Sequence, residues 1–361
     1  MLRSYQYTEK PYLEYTLQGA FFRDKQVQIA RRFVDAHLAY RNEMTRRNET
    51  VQRDEISGRN DPIGGNHPLR RDGERRCPVC GQQGSYFYSK WRVDYLCCTG
   101  CKSVYAVYDE ETVEAYQKDD ELLELRRSRE YQQEITDNRQ NVWEDFLEWI
   151  EVRAFRFMGR NKNLDIVDYG NRYEGYADVI RKASICGKYD LRESILPGGE
   201  DRIESGEADL VLYLDQMQQE LHPSERMSEL RDCLKEDGVL ILNTRAGSGF
   251  DIITLKEKNS RIYPYEHILL PSVKGLVAFL ERNGFEVLEI TTPGVMDVKY
   301  VSDSIEGLDC SESFVRYLLE ESSQFMLQEF QRFLQKACLS SFVSVIARKR
   351  RDEEKQDTVG N

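Results

Sequence analysis

The sequence predicts an α/β fold, a mostly parallel sheet flanked by helices, preceded by a small metal-binding ribbon and long helices. Three observations predict it. From residue 164 onward, short β-rich runs alternate with helical stretches. Two Cys-x2-Cys pairs stand between Cys77 and Cys101, separated by a 17-residue spacer. Residues 110–158 are rich in Glu, Gln, Arg and Leu and contain neither Pro nor Gly, a helical composition. At 361 residues the chain has room for more than one core.

In chain order, residues 1–56 form an N-terminal helical region. Phe22, Val27, Ile29, Ala30, Phe33, Val34 and Leu38 recur there at near-helical spacing with charges between them, the pattern of one amphipathic helix over 20–47. Residues 57–76 gather Gly, Pro, Asn and charge without a period and read as a linker. Residues 77–108 are the ribbon. Residues 109–160 are a helical connector, one long helix or two consecutive ones, closed by Gly159. Its series Trp143, Phe146, Trp149, Ile150, Arg153 and Phe157 follows steps of three and four and reads as core contact.

Residues 161–350 form the α/β domain, with strands at LDIVDY, ADLVLYL, GVLILNT, FEVLEIT and SFVSVIA. Between them YEGYADVIRKAS, SERMSELRDCLKEDG and SVKGLVAFLERNG read as helices, the last two stopped by glycine. A further helical stretch runs from Ser311 to Lys336. The tail 351–361 is charged, has no hydrophobic period, and is expected to be disordered.

A formal net charge of −12 opposes binding to a polyanion, which makes nucleic acid a poor partner. No apolar run approaches the roughly 20 residues of a membrane span. The first residues, MLRSYQYTEKPYLEYTLQGAFF, lack the basic start and apolar core of a secretory signal, so the expected compartment is the cytoplasm. Five of the nine cysteines crowd into residues 77–101, which suits a metal site in a reducing compartment better than a disulfide framework.

In "CPVCG" and "CCTGC", Cys77, Cys80, Cys98 and Cys101 supply four thiolates from two tight turns, the tetrahedral set of a structural zinc. The intervening YFYSKWRVDYL is β-rich, as two ribbon strands should be. Iron would use similar ligands. With four thiolates no coordination position stays open for water, so the metal's role is structural. Cys97 stands beside the second pair as a substitute ligand, although a side chain adjacent to the pair is expected to point away, and His67 lies in the linker, where a solvated ring is expected.

The segment "LDIVDYGNRYEGYADVI" joins an apolar strand to a helix through a turn carrying Gly170, with Asp168 near the strand's end. Together with "KYD" at Asp190, "ADLVLYLDQMQ", "LRDCLKEDGVLILNT" and "HILLPSVKGLVAFLERNGFEVLEI", this region resembles the class I S-adenosylmethionine-dependent methyltransferases. The resemblance implies a Rossmann-like domain that binds S-adenosyl-L-methionine. Asp168, Gly170 and Asn171 would line the methionine and ribose end, Asp190 would bind the ribose hydroxyls, and Asp215 would lie beside the adenosine or the reacting methyl. Asn171, Arg172 and Tyr173 stand where the family has further glycines, and Arg172 either closes the site or grips the cofactor's carboxylate. Gln218 and Gln219 replace an acidic-His pair carried by many relatives.

His267, in "YPYEHILLP", follows the "RAGSGFDI" loop after the fifth strand, on the sheet's ligand edge, and is the candidate base, with a structural hydrogen-bonding role as its alternative. Two functional readings follow. One is a methyltransferase acting on a small-molecule or glycan-type acceptor. The other is a catalytically inactive relative that holds a protein partner through the ribbon and the N-terminal helices.

Overall fold

The computed structural model describes residues 24–36, 76–171, 173–192, 206–308 and 313–350. Arg172, His67, most of the linker and the tail from residue 351 lie outside the described residues. Residues 24–36 are helical and form α1, within the predicted amphipathic helix.

The ribbon opens with β1 (Gly84–Lys90) and β2 (Val93–Cys98), an antiparallel hairpin running from Gly84 opposite Cys98 to Lys90 opposite Val93, with a register shift between Tyr86 and Tyr88. Trp91 and Arg92 both take positive φ, 48° and 66°, at the two-residue turn, where that backbone matches the strands' twist. β3 (Val104–Ala106) pairs with β2 and then, antiparallel, with β8 (Leu269–Leu270) from the far part of the chain. The ribbon thus closes a four-stranded sheet with an element of the α/β region.

The connector is three helices, α2 (Glu110–Gln117), α3 (Asp120–Arg127) and α4 (Arg129–Met158), not one or two. The sequence lacks Pro and Gly here, but Asp119 and Ser128 break the run. Each side chain accepts from the backbone N–H three residues on, Leu122 and Tyr131, and so starts a new helix. α4 ends at Gly159, left-handed at φ 73°, as predicted. Trp143, Phe146 and Ile150 are fully buried, so the aromatic stripe is core.

The second sheet has the order β5-β4-β6-β7-β10-β9. β4 (Leu164–Tyr169), β5 (Cys186–Arg192), β6 (Ala208–Leu214) and β7 (Leu234–Arg245) are parallel. β10 (Phe342–Lys349) runs antiparallel between β7 and β9 (Phe285–Thr291). Every residue of β6 is buried, as a central strand covered on both faces requires. α5 (Glu174–Lys182), α6 (Pro223–Cys233) and α8 (Val273–Arg282) are the crossover helices. This is the predicted mostly parallel, Rossmann-like sheet flanked by helices.

Two expectations change. α6 stops at Cys233, short of Gly238, because Leu234 turns extended and joins a twelve-residue β7. A Cβ on Gly238 would come within 2.9 Å of the Ala208 carbonyl oxygen, so this glycine serves strand approach and not a helix end. Gly284, at φ 85°, does close α8. The helices α7 (Phe250–Leu255) and α9 (Asp297–Asp303) precede a predicted single stretch that is in fact a pair, α10 (Ser313–Glu321) and α11 (Gln324–Lys336). Ser323 caps the second, accepting from the Met326 N–H.

Candidate functional site

At the end of β4 the chain turns through Gly170 in the left-handed region, φ 79°. The left-handed backbone favours glycine there, and a Cβ, 2.7 Å from the Gln216 side-chain amide carbon, would have to push that side chain aside. Asn171 shapes the next step, its Oδ1 accepting from the Tyr173 N–H at 2.9 Å. Arg172, between them, lies outside the described residues.

Behind the turn, Asp168 is fully buried. Tyr189 donates its hydroxyl to Asp168 Oδ2 at 2.6 Å. The other carboxylate oxygen, Oδ1, is buried and has no hydrogen-bond partner among the described residues. Burial pushes the Asp168 carboxyl up to about 7, with the Tyr189 hydrogen bond opposing it.

The turn borders a cavity of about 490 Å³, within the range of small-ligand sites. Gly170, Asn171 and Tyr173 form one wall, and Ala177 and Arg181 of α5 extend it. Leu191 enters from β5, while Gln216, Gln219 and Leu221 enter from the segment after β6. The connector closes the remainder with Gln117 of α2, Leu123, Arg126 and Arg127 of α3, and Gln132 of α4. Carboxyl ends of parallel strands are where open α/β sheets leave a crevice. Here helices from outside the α/β domain cover it.

Glu266 ties that cover down. Its buried carboxylate accepts from Tyr116 Oη at 3.0 Å, from Arg126 at 2.9 Å and from Gln219 Nε2 at 3.0 Å. Gln117 donates in turn to the Gln219 carbonyl at 2.8 Å. Arg226, also at the cavity, pairs with Glu220 at 2.9 Å and Glu229 at 2.5 Å and with the Tyr169 hydroxyl.

Asp168 itself lies behind the lining, and the remaining sequence candidates also stand apart from it. Asp190 lies on β5 beside Leu191 and accepts from Arg192 at 2.9 Å. Asp215, at φ 56°, precedes the lining residue Gln216. His267 is buried, and its Nδ1 accepts from the Tyr263 N–H at 3.4 Å. Its carbonyl accepts from Tyr95 Oη at 2.9 Å. Burial first, and Arg245 second, lower the ring's pKa to about 3, so the imidazole is neutral. Its neighbour Glu266 is the residue whose hydrogen bonds reach the cavity.

Gln216 and Gln219 lie in the segment from Asp215 that the resemblance sets beside the cofactor, whereas Arg126 was not singled out by the sequence, although it carries a readable signal. It follows Leu122 and Leu125 by four and one residues on α3, and all three are buried. A charged residue on an apolar stripe points to a buried partner.

In the ribbon, Cys77, Cys80, Cys98 and Cys101 bring their sulfurs within 4.8 Å of one another. Cys77 and Cys101 are 3.6 Å apart, and Cys80 and Cys98 are 3.3 Å apart. The contact with Cys77 draws the Cys101 thiol down to about 4, and the same contact pushes Cys77 up. Such converging sulfurs fit a tetrahedral cation. Cys97 directs its sulfur toward the Cys98 carbonyl and stays out of the cluster.

No protein-family model matches the chain, and no curated protein matches it in sequence. Among solved structures it is similar to geranyl diphosphate C-methyltransferase from Streptomyces coelicolor A3(2), at 14% identity and TM-score 0.35, over 62% of this chain and 85% of that one. It is similar to an S-adenosylmethionine-dependent methyltransferase from Mesorhizobium loti, at 12% identity and TM-score 0.34, over 56% and 98%. Coclaurine N-methyltransferase, solved with N-methylheliamine and S-adenosylhomocysteine, gives 11% identity and TM-score 0.35 over 58% and 71%. The Rossmann-like fold itself stands on the strand order of this chain.

Proposed function

We propose that this protein is an S-adenosylmethionine-dependent methyltransferase acting on a small-molecule or glycan-type acceptor, with a structural zinc in its ribbon. The observation that carries the reading is the unpartnered, buried Oδ1 of Asp168 at the carboxyl end of β4, beneath the left-handed Gly170 turn that borders the cavity. A ligand donor is the missing partner such a group calls for. The coenzyme, when bound, supplies a methyl group activated by a sulfonium. Gly170 and Asn171 would lie against it, Asp168 would accept from it, and Asp190 would take the ribose hydroxyls, as the resemblance implies.

Methyl transfer is an in-line displacement in which holding the two partners supplies much of the rate, and a base is needed only where the acceptor must lose a proton. No histidine lines the cavity among the described residues. The lining carboxylates are Glu174 and Glu220, and Glu220 is engaged by Arg226. An acceptor that needs no strong base, such as an amine entering neutral, suits this wall best. Calorimetric titration of S-adenosylmethionine and S-adenosylhomocysteine into the purified protein tests the reading. Saturable binding at micromolar concentrations is expected; absence of binding at millimolar cofactor would leave the partner-holding alternative.

A further inference from the structure

We infer that Arg126 receives the carboxylate of the cofactor's amino-acid end, and that Glu266 is the positioning residue that aims it. The inference rests on the methyltransferase reading and deepens it.

Arg126 is 7% exposed, lines the cavity, and reaches it from α3 of the connector. One guanidinium nitrogen serves both oxygens of Glu266, at 2.9 and 3.1 Å. Its Nε–H is buried with no hydrogen-bond partner among the described residues. A buried guanidinium donor left unpaired is costly and fits a planar anion. The other buried arginine of the cavity, Arg226, differs, because its nitrogens meet Glu220, Glu229 and Tyr169.

The sheet order places the two ends of the ligand. Leu191 lies on β5, on one side of β4, and Gln219 follows β6 on the other side. Arg126 shares Glu266 with Gln219, so the cation belongs to the β6 side. In the methyltransferase reading Asp190, next to Leu191, would take the ribose, which sets the nucleoside toward β5. A nucleoside toward β5 puts an amino-acid end toward Arg126. The turn after Gly170 carries Asn171 and Tyr173, whose side chains hinder the close backbone approach that further glycines permit. Anion recognition passes from backbone amides to a side chain of the covering helices.

The test compares S-adenosylhomocysteine with 5′-methylthioadenosine, which keeps the nucleoside and thioether and lacks the amino-acid end. Arg126→Gln leaves Glu266 a buried carboxylate without its cation, so the double variant Arg126→Gln/Glu266→Gln, which removes both charges, guards against a fold defect. Calorimetry should show S-adenosylhomocysteine affinity falling roughly ten- to hundredfold in both variants, with 5′-methylthioadenosine affinity unchanged. Glu266→Gln alone should weaken S-adenosylhomocysteine less, since Arg126 stays but is held by a neutral partner. Equal losses for both ligands, or a loss for neither, overturns the assignment of Arg126. A wild-type protein that binds neither ligand overturns the methyltransferase reading itself, a result distinct from the other two.

Discussion

The four sulfurs of the ribbon come from one stretch, Cys77 to Cys101, whereas the cavity is lined by residues drawn from Gln117 to Arg226 and braced by Glu266. In the first region two tight turns on a hairpin bring the ligands together, and the spacing itself encodes the geometry. In the second, three connector helices, two strand ends and a turn must first dock. Chemistry carried by local spacing is readable early, and chemistry assembled by docking is not. The regions still meet, because β3 of the ribbon pairs with β8, and the Ile268 N–H, just before β8, donates to the Gln218 carbonyl at 2.8 Å.

The largest expected effect breaks the local region. Protein purified without added metal should carry about one equivalent of zinc. Cys98→Ser should lose most of it and lower the unfolding midpoint by roughly ten degrees or more, since metal-binding energy is folding energy. Metal analysis and a thermal melt with and without chelator measure both. A metal-free protein that melts like the untreated one would sink the site.

What the sequence yielded follows the same division. The β4, β6 and β9 strands were readable to the residue, because each is a short apolar run between turn signals. Gly159 and Gly284 were readable as helix stops. The breaks at Asp119 and Ser128 were passed over because capping by a side chain leaves no Pro or Gly to mark it. Gly170 and Asn171 were placed at the cavity from one strand-turn phrase. Arg126 was not, since nothing local tells that α3 will lie over the end of β6. His267 was read as a loop residue at the ligand edge, but the chain buries it against Tyr263.

A middle-sized effect sharpens the second region through Asp168. Its folded pKa of about 7 lies above the ordinary carboxyl value, so the native state holds a proton that the unfolded chain gives up. Its contribution is fully present below about pH 4 and is lost as pH rises toward 7, a matter of a few kcal/mol at most. Asp168→Asn should remove that slope and make the ligand-free protein more stable at pH 8. Cofactor that donates to Oδ1 favours the ionised form, so wild-type affinity should rise with pH through 7 and the variant's should not. Denaturant titrations and calorimetry at pH 5.5 and 8 read both quantities. An Asp168→Asn protein with unchanged pH dependence in both would remove the carboxylate from the site.

The smallest effect concerns His267 and carries the opposite sign. Its folded pKa of about 3 lies below the ordinary value of about 6.5, so the unfolded chain gains the proton first as pH falls. Stability from the neutral ring is present above about pH 6.5 and is lost as pH drops toward 3, over nearly the range in which Asp168 works the other way. The wild-type profile between pH 4 and 6.5 should therefore be flatter than either single variant's. His267→Gln keeps a side-chain acceptor for the Tyr263 N–H and should cost about 1 kcal/mol at pH 7.5, where lost packing and a weaker hydrogen bond are all that remain. Below about pH 4, where the ring's slope is no longer opposed, the variant's acid limb should become shallower than the wild type's. Because the ring lies outside the cavity lining, S-adenosylhomocysteine affinity should hold within about twofold, and a loss of tenfold or more would place His267 in the ligand's reach after all.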